Sequence, residues 1–427
     1  MKAYICASAN SKYMRYLYVM MYSLFQSNSK NEITMFIFQR DFTDADKACL
    51  NELTKKFQQT IKYIDIDERK YIKFPEKYRY SLEVYFRFEI LDKIPSNMDR
   101  VLYLDVDMIV RNDLSELLLT NMGDCYFAVC QDMIVPELLP QHKVLFNRFN
   151  ELKYFNSGMM LWNLPVIRSN GISFNDFVKA GEELDFELPM VDQDIFNYKF
   201  YDKVMYLPSK KWNFMVTKYV QNGWHNDDME NDAAILHFTG VNPWIAGPKA
   251  PIYKIWWEFA KKTPFYVSLL EEQLEKSEEY IFKKNTDGIL PTSTAKGVNA
   301  CLDMLLTIKG LGIIRKEFSS SDKKYCVWGY GFLGKRFFDV IRHEHADEYV
   351  VAIMDNNPAI GQKASITTPF HNDFNWLHEN QEYIFIITPS YENDKIFEQI
   401  RNACGNEAEP ITLLRFLKRM LDKYKEM

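Results

Sequence analysis

With 427 residues the chain is long for a single domain, and roughly 150 residues per domain predicts two or three. A composition of 47% hydrophobic, 15% aromatic and 26% charged residues supplies apolar material for several cores and excludes the low-hydrophobicity signature of disorder. The 52 Lys and Arg against 58 Asp and Glu leave a net charge of −6, so no global positive field draws in nucleic acid, and no nucleic-acid partner is expected.

The opening MKAYICASA has a Lys and an Ala-x-Ala like a secretion leader, yet residues 4–7 read as a first β-strand, and a cytoplasmic protein is expected. Tyr16, Leu17, Met20, Met21, Leu24 and Phe25 recur at helical spacing and describe one apolar face, read as core. The stretch 16–25 is the longest largely apolar one and falls short of the roughly 20 residues a membrane span needs. Further strands are predicted at 34–39, 62–66, 100–107, 127–132, 158–162, 204–207 and 234–238, alternating with helical patterns as in an α/β sheet. After Pro264 the charged segment LLEEQLEKSEEYIFKK and the turn-rich NTDGILPTSTAKG read as a helical connector. From Lys324 a second α/β unit opens with strands YCVW, VVAIMD and YIFIIT. The expected organisation is therefore 1–265, a connector over 266–322, and a small domain over 323–427. The seven Cys show neither C-x-x-C nor zinc spacing and are predicted to be buried, reduced thiols.

RVLYLDVDMIV, residues 100–110, is an apolar strand interrupted by Asp105 and Asp107. On a strand, side chains two apart share a face, roughly 7 Å between Cα atoms, so two carboxylates can approach one cation. Carboxylates suit Mg²⁺ or Mn²⁺, and such an ion binds diphosphates. Two other readings stand beside this one. The strand could simply end at Asp105, or Asp105 could be the nucleophile of a phosphatase, although Met108-Ile109-Val110 replaces the small turn expected there.

Six segments in order carry a resemblance: ANSKYMRYLYVMMYSL, SLEVYFRFEILDKIP, RVLYLDVDMIVRNDLSEL, FNSGMMLWNL, DQDIFN and HFTGVNPW. Over about residues 1–265 the chain resembles the family 8 retaining glycosyltransferases, which include lipopolysaccharide galactosyl- and glucosyltransferases and glycogenin. The resemblance implies a GT-A α/β fold and a UDP-hexose donor, with a glycan or lipid-linked acceptor in cell-surface polysaccharide synthesis. By the same resemblance Asp105, Asp107 and His237 would ligate Mn²⁺ (or Mg²⁺). Neutral imidazole suits Mn²⁺ better than Mg²⁺. Tyr13 matches the uracil-stacking aromatic and Arg87 a donor-site arginine; Asn10 and Gly240 fall in the donor-binding set. Asp132, Asn156, Asp192 and Gln193 match positions around the donor sugar, with Asp132, Asp192 and Gln193 taken as catalytic.

Retention needs either a covalent intermediate or attack from the leaving-group face. Gln193 stands where a nucleophile would sit, and an amide oxygen is a poor nucleophile. Same-face attack is therefore expected, the β-phosphate oxygen acting as base and Gln193 stabilising the oxocarbenium-like centre. Two departures from the family pattern stand out. Asn10 replaces the usual acid before the tyrosine, with Lys12 where Asn is common, and Asn242 stands where a diphosphate-binding Lys usually precedes Pro-Trp, with Lys211 or Lys249 as substitutes. A non-catalytic nucleotide-sugar-binding protein is the alternative those departures raise.

Gly329, Gly331 and Gly334 fit G-x-G-x-x-G between a predicted strand and helix, and Asp355 closes the next strand about 20 residues on. This predicts a Rossmann-like βαβαβ unit in which the loop either binds a nucleotide or serves tight helix packing. The tail ITLLRFLKRMLDKYKEM forms a basic amphipathic helix, either docked on its own domain or making a peripheral contact at the inner membrane face. The sequence carries no sign of oligomeric state.

Overall fold

The computed structural model describes residues 1–76, 80–134, 153–221, 232–240, 242–246, 251–272, 302, 312–357, 368–377, 382–388, 393–405 and 408–425. They fall into two compact units, Met1–Asn242 and Pro243–Met427.

The first unit begins β1 (Lys2–Ser8), α1 (Met14–Ser27), β2 (Glu32–Gln39), α2 (Asp44–Lys56), β3 (Thr60–Asp65). A 3₁₀ helix, Leu82–Glu89, precedes β4 (Arg100–Leu104), β5 (Met108–Val110), β6 (Phe127–Gln131) and β7 (Phe155–Asn163). Then come α3 (Phe174–Glu183), α4 (Val191–Phe200), β8 (Val204–Leu207), β9 (Phe214–Met215) and β10 (Ile235–His237). A seven-stranded sheet runs β3-β2-β1-β4-β7-β6-β8, with β7 antiparallel to both β4 and β6. Ile5, Cys6 and Ala7 of β1 are all buried, as expected of a central strand covered on both faces. The whole predicted apolar face of α1 is buried too. α2 is started by a capping box in which Thr43 and Asp46 satisfy each other's backbone N–H groups. On the side of the sheet bearing α4, a cluster of rings that includes stacked Phe88 and Phe177, 4.4 Å between centroids, joins the 3₁₀ helix, α3 and α4 to β7.

The strand predicted over 100–107 ends at Leu104, a correction that matters for the site. Asp105-Val106-Asp107 turn out of the large sheet, and the chain re-enters as β5 in a second, three-stranded sheet of order β5-β10-β9. The acid pair thus lies at the crossing between two sheets rather than on one strand face, because β4 finds its partner in β7 while β5 finds its partner in β10.

The second unit contains α5 (Pro251–Ala260), α6 (Ile313–Ser319), β11 (Lys324–Trp328), α7 (Phe332–His343), β12 (Val350–Met354), β13 (Phe370–His371), β14 (Tyr383–Ile387), α8 (Asn393–Cys404), β15 (Ala408–Thr412) and α9 (Leu413–Lys425). All pairs are parallel in the order β13-β12-β11-β14-β15. Two strands go beyond the sequence reading: β13 and the edge strand β15, which takes Ile411 and Thr412 from the predicted terminal helix. Pro410 is tolerated there because an edge strand has one unpaired side. Leu413, Phe416, Leu417 and Met420 of α9 are buried, so their face is used inside this unit. Most of the predicted connector lies outside the described residues, but α6 packs Phe318 on Tyr325 of β11 at 4.0 Å.

Cys6, Cys130 and Cys326 are buried as predicted, whereas Cys49, Cys125 and Cys404 are partly exposed; none of these six is in a disulfide. Cys301 lies outside the described residues. Among the described residues no helix is long and apolar enough to cross a membrane.

Candidate active site

The site forms where the β4–β5 turn meets the start of β7, the first turn of α4 and the end of β10. The Asp105 N–H donates to Gly158 O at 2.9 Å, and the Phe238 N–H donates to Asp107 O at 2.9 Å. Antiparallel pairing of β10 with β5 sets His237 opposite Met108. His237 Nε2 therefore lies 3.2 Å from Asp107 Oδ1 and 3.9 Å from Asp105 Oδ2. One ligand atom from each of the three residues falls within 4.8 Å of the others. Two carboxylate oxygens and an imidazole nitrogen converging at that spacing are a donor set suited to a divalent cation such as Mn²⁺. Burial pulls the His237 pKa down, but the Asp107 and Asp105 carboxylates outweigh it and hold it above its ordinary value.

Gly158 is what lets these groups meet. A Cβ there would lie 2.4 Å from His237 Cε1, 2.7 Å from Asp105 Oδ2 and 3.0 Å from Asn156 Oδ1.

Arg87, from the 3₁₀ helix, is 2% exposed and braces the acid side. Its Nη2 donates to Asp105 Oδ1 at 2.8 Å, its Nη1 to Ser157 O, and its Nε to Val84 O at 3.0 Å. The guanidinium stacks over Tyr103 at 3.9 Å and lies 3.3 Å from Asp192 Oδ2. Among the described residues, none donates a hydrogen bond to that oxygen. Burial pushes the Asp192 carboxyl up to about 7, with Arg87 opposing and Asp105 adding to the shift.

Asp132, Asn156 and Gln193, predicted around the donor sugar, form one buried cluster. Asn156 Nδ2 donates to Asp132 Oδ2 at 3.1 Å and to Gln193 Oε1 at 3.0 Å. Gln193 Nε2 also donates to Asp132 Oδ2 at 3.1 Å, while Gln193 Oε1 accepts from the Ser157 N–H at 2.9 Å. Asp194 accepts from Tyr154 Oη at 2.7 Å and from the Met190 N–H at 2.8 Å, tying the first turn of α4 to β7. Asn197 completes that tie by bonding both backbone groups of Phe155.

The remaining sequence candidates lie on other segments. Asn10 caps a short 3₁₀ turn, its Oδ1 accepting from the Tyr13 N–H at 3.1 Å. Tyr13 is 38% exposed, and burial, with the Asp107 and Glu83 charges, raises its phenol above the ordinary range. Gly240 adopts φ +79°, the left-handed region that favours glycine. Asn242 Nδ2 donates to Asp107 Oδ2 at 3.3 Å, so the residue in the lysine position reaches the acid pair itself. Lys211 is paired with Glu116 at 2.6 Å, and Lys249 lies outside the described residues. Sequence reasoning missed Gly158, Asn197 and Asn213; no spacing rule marks them, and only strand pairing reveals what they face. In the second unit Gly329 has φ +94°, and a Cβ on Gly334 would lie 1.8 Å from Gly329 O, so helix and strand cross closely there. Asp355 accepts from the Tyr330 and Asn357 N–H groups and so holds the loop.

The model of glycosyl transferase family 8 matches residues 4–246. A lipopolysaccharide 1,2-glucosyltransferase of Escherichia coli is 27% identical over 230 residues, 52% of this chain and 67% of that protein. General stress protein A of Bacillus subtilis is 28% identical over 262 residues, 58% of this chain and 89% of its own. Among solved structures, galactosyltransferase LgtC in complex with donor and acceptor sugar analogues superposes with a TM-score of 0.55 at 27% identity, covering 61% of this chain and 96% of that one. The α/β fold of the first unit is thus GT-A, which displaces the phosphatase reading. A match over more than half of the chain, on a sheet that brings the matched segments within hydrogen-bonding reach of one another, makes this chain a member of glycosyl transferase family 8 and a retaining glycosyltransferase.

Proposed function

We propose that the protein moves a hexose, galactose or glucose, from a UDP-sugar to a glycan or lipid-linked acceptor, with Mn²⁺ (or Mg²⁺) held by Asp105, Asp107 and His237. The observation that carries this is the convergence of those three side chains within 4.8 Å. The ion would neutralise charge on the departing diphosphate. Tyr13 offers an exposed ring for the uracil, and Asn10 fixes the turn that presents it. Arg87 holds Asp105 in place, and Gly240 supplies a left-handed turn that favours glycine. Asp132 and Asn156 position sugar hydroxyls, and holding the reacting centre in place supplies much of such a rate enhancement.

Attack from the leaving-group face fits the carboxylates available. Asp194 has both oxygens engaged by Tyr154 and Met190, and Asp192 is buried against Arg87. In this reading a β-phosphate oxygen takes the acceptor's proton, and Gln193, its Oε1 polarised by the Ser157 N–H, stabilises the oxocarbenium-like centre. The relatives named as lipopolysaccharide glucosyl- and galactosyltransferases support a cell-surface polysaccharide acceptor, with the protein working in the cytoplasm at the inner membrane face. The second unit is proposed as a Rossmann-like domain over 323–427, whose Gly331 leaves open space for a phosphate.

Calorimetric titration of UDP tests the core of this reading, in Mn²⁺, in EDTA, and with Asp105→Ala/Asp107→Ala in Mn²⁺. UDP affinity is expected to fall at least about tenfold without the ion or the acid pair, after which product formation from UDP-galactose and UDP-glucose identifies the sugar. No UDP binding under any condition would overturn the donor assignment.

A further inference from the structure

We infer that Asn213 is a positioning residue for the transfer: a chain of hydrogen bonds beginning at the Gly158 N–H locks its amide so that His237 carries hydrogen on Nδ1 and turns the Nε2 lone pair toward Asp105 and Asp107. The consequence for catalysis rests on the metal-site reading above.

Hydrogens follow here from which groups can only donate or only accept. The Gly158 N–H can only donate, and it reaches Asn156 Oδ1 at 3.0 Å. That fixes the Asn156 amide, and its Nδ2 finds two acceptors, Asp132 Oδ2 and Gln193 Oε1. The same Asn156 Oδ1 lies 2.8 Å from Asn213 Nδ2, so Asn213 must donate there. Its own Oδ1 is then left facing His237 Nδ1 at 2.8 Å. A carbonyl oxygen only accepts, so Nδ1 bears the hydrogen. Flipping the Asn213 amide would set two acceptor oxygens against each other and an NH₂ against the ring. Asn213 is 1% exposed, so bulk water does not relieve such a clash.

The opposite tautomer would place Nε2–H against Asp107 Oδ1, 3.2 Å away, and occupy both the imidazole and a carboxylate in a mutual hydrogen bond. Asn213 works against that neutral tautomer before any ion arrives. Outer partners of metal-ligating histidines are typically worth 10- to 100-fold in metal affinity or activity. The strand register explains why this residue holds the post: β9 runs parallel to β10 with Met215 beside His237, and Asn213 immediately precedes β9.

The test uses full-length Asn213→Leu and Asn213→Asp, with Mn²⁺ titrated in the absence of nucleotide. A ¹⁵N-histidine spectrum is recorded with Zn²⁺ as diamagnetic probe, and His237 is assigned by the signals lost in His237→Gln. In the wild type, hydrogen is expected on Nδ1 with Nε2 on the metal. Leu removes the acceptor, and Mn²⁺ affinity should fall 10- to 100-fold with loss of the Nδ1–H signature. Asp still accepts from Nδ1–H, so the signature should persist even though its second oxygen, set against Asn156 Oδ1, lowers stability, a separation that a purely structural role would not give. A wild-type spectrum with hydrogen on Nε2, or Asn213→Leu binding Mn²⁺ as the wild type does, would overturn the inference. If the wild type takes up no Mn²⁺, the metal reading fails, and the ring spectrum in EDTA at pH 9 still decides the tautomer.

Discussion

Replacing Gly158 by alanine puts a methyl where the structure has room for none. The added carbon would lie 2.4 Å from His237 Cε1, 2.7 Å from Asp105 Oδ2 and 3.0 Å from Asn156 Oδ1. Carbon–carbon contact is comfortable near 3.5 Å, so the imidazole must retreat by about 1 Å. It has little freedom to do so, since Nδ1 is held by Asn213 and the residue is 2% exposed. Overpacking of this kind costs about 1–3 kcal/mol of stability. The functional loss should be larger, because both displaced groups are candidate ligands and a misplacement of about 1 Å in a positioned site can cost about 100-fold. The assay pairs Mn²⁺ and UDP titrations with sugar transfer and thermal unfolding. Gly181→Ala is the control, since its Cβ would strike Phe186 at 2.6 Å, a crowding of similar severity that involves no ligand. Gly158→Ala is expected to remain folded near the control's stability while Mn²⁺ affinity and transfer fall at least tenfold further. Equal Mn²⁺ affinity in both variants would refute the account of the glycine.

Arg87→Met leaves the Asp105 and Asp192 carboxylates without their shared guanidinium, and removing one partner of a buried pair costs about 3–5 kcal/mol; urea unfolding checks this, and a loss under about 1 kcal/mol would contradict the bracing role. Asp192 holds its proton in the native state to about pH 7, whereas an unfolded chain releases it near pH 4. Folding therefore takes up a proton between those values, and this group's contribution to stability falls as pH rises through the window, by up to ~4 kcal/mol. Asp192→Asn should flatten that part of the pH–stability profile in EDTA, and an unchanged slope would show that Asp192 is not its source. In the second unit Gly334→Ala would drive a methyl to 1.8 Å from Gly329 O and should unfold the loop–helix junction, whereas Gly331→Ala meets nothing within 4 Å among the described residues and should leave the melting temperature nearly unchanged. Indistinguishable melting of the two variants would show that close packing does not explain the third glycine.

Much of this protein was legible in the linear sequence because its elements are driven by local pattern. The α1 stripe, the strand runs of β1, β2, β11 and β14, and Gly329 before α7 follow from apolar periodicity and from a backbone position that favours glycine. The acids at 105 and 107 could be nominated because charges interrupting an apolar strand need a reason, and the segments near 156, 193 and 237 because they resemble those of a known family in order and spacing.

Tertiary pairing decided how those residues meet. Sequence periodicity carried the strand through Asp107, yet β4 stops at Leu104 because β5 has its partner in another sheet. Nothing local announces that Asn242 would bond Asp107 or that Asn213 would face the His237 ring. Gly158 sits in an ordinary apolar run, and its necessity lies in the imidazole and carboxylate that pack over it. The chain's pattern specifies which segments become strands and helices, since burying apolar faces is a property of neighbouring residues. Which polar atoms end within 3 Å of one another depends on sheet order and register, which emerge only when distant strands hydrogen-bond.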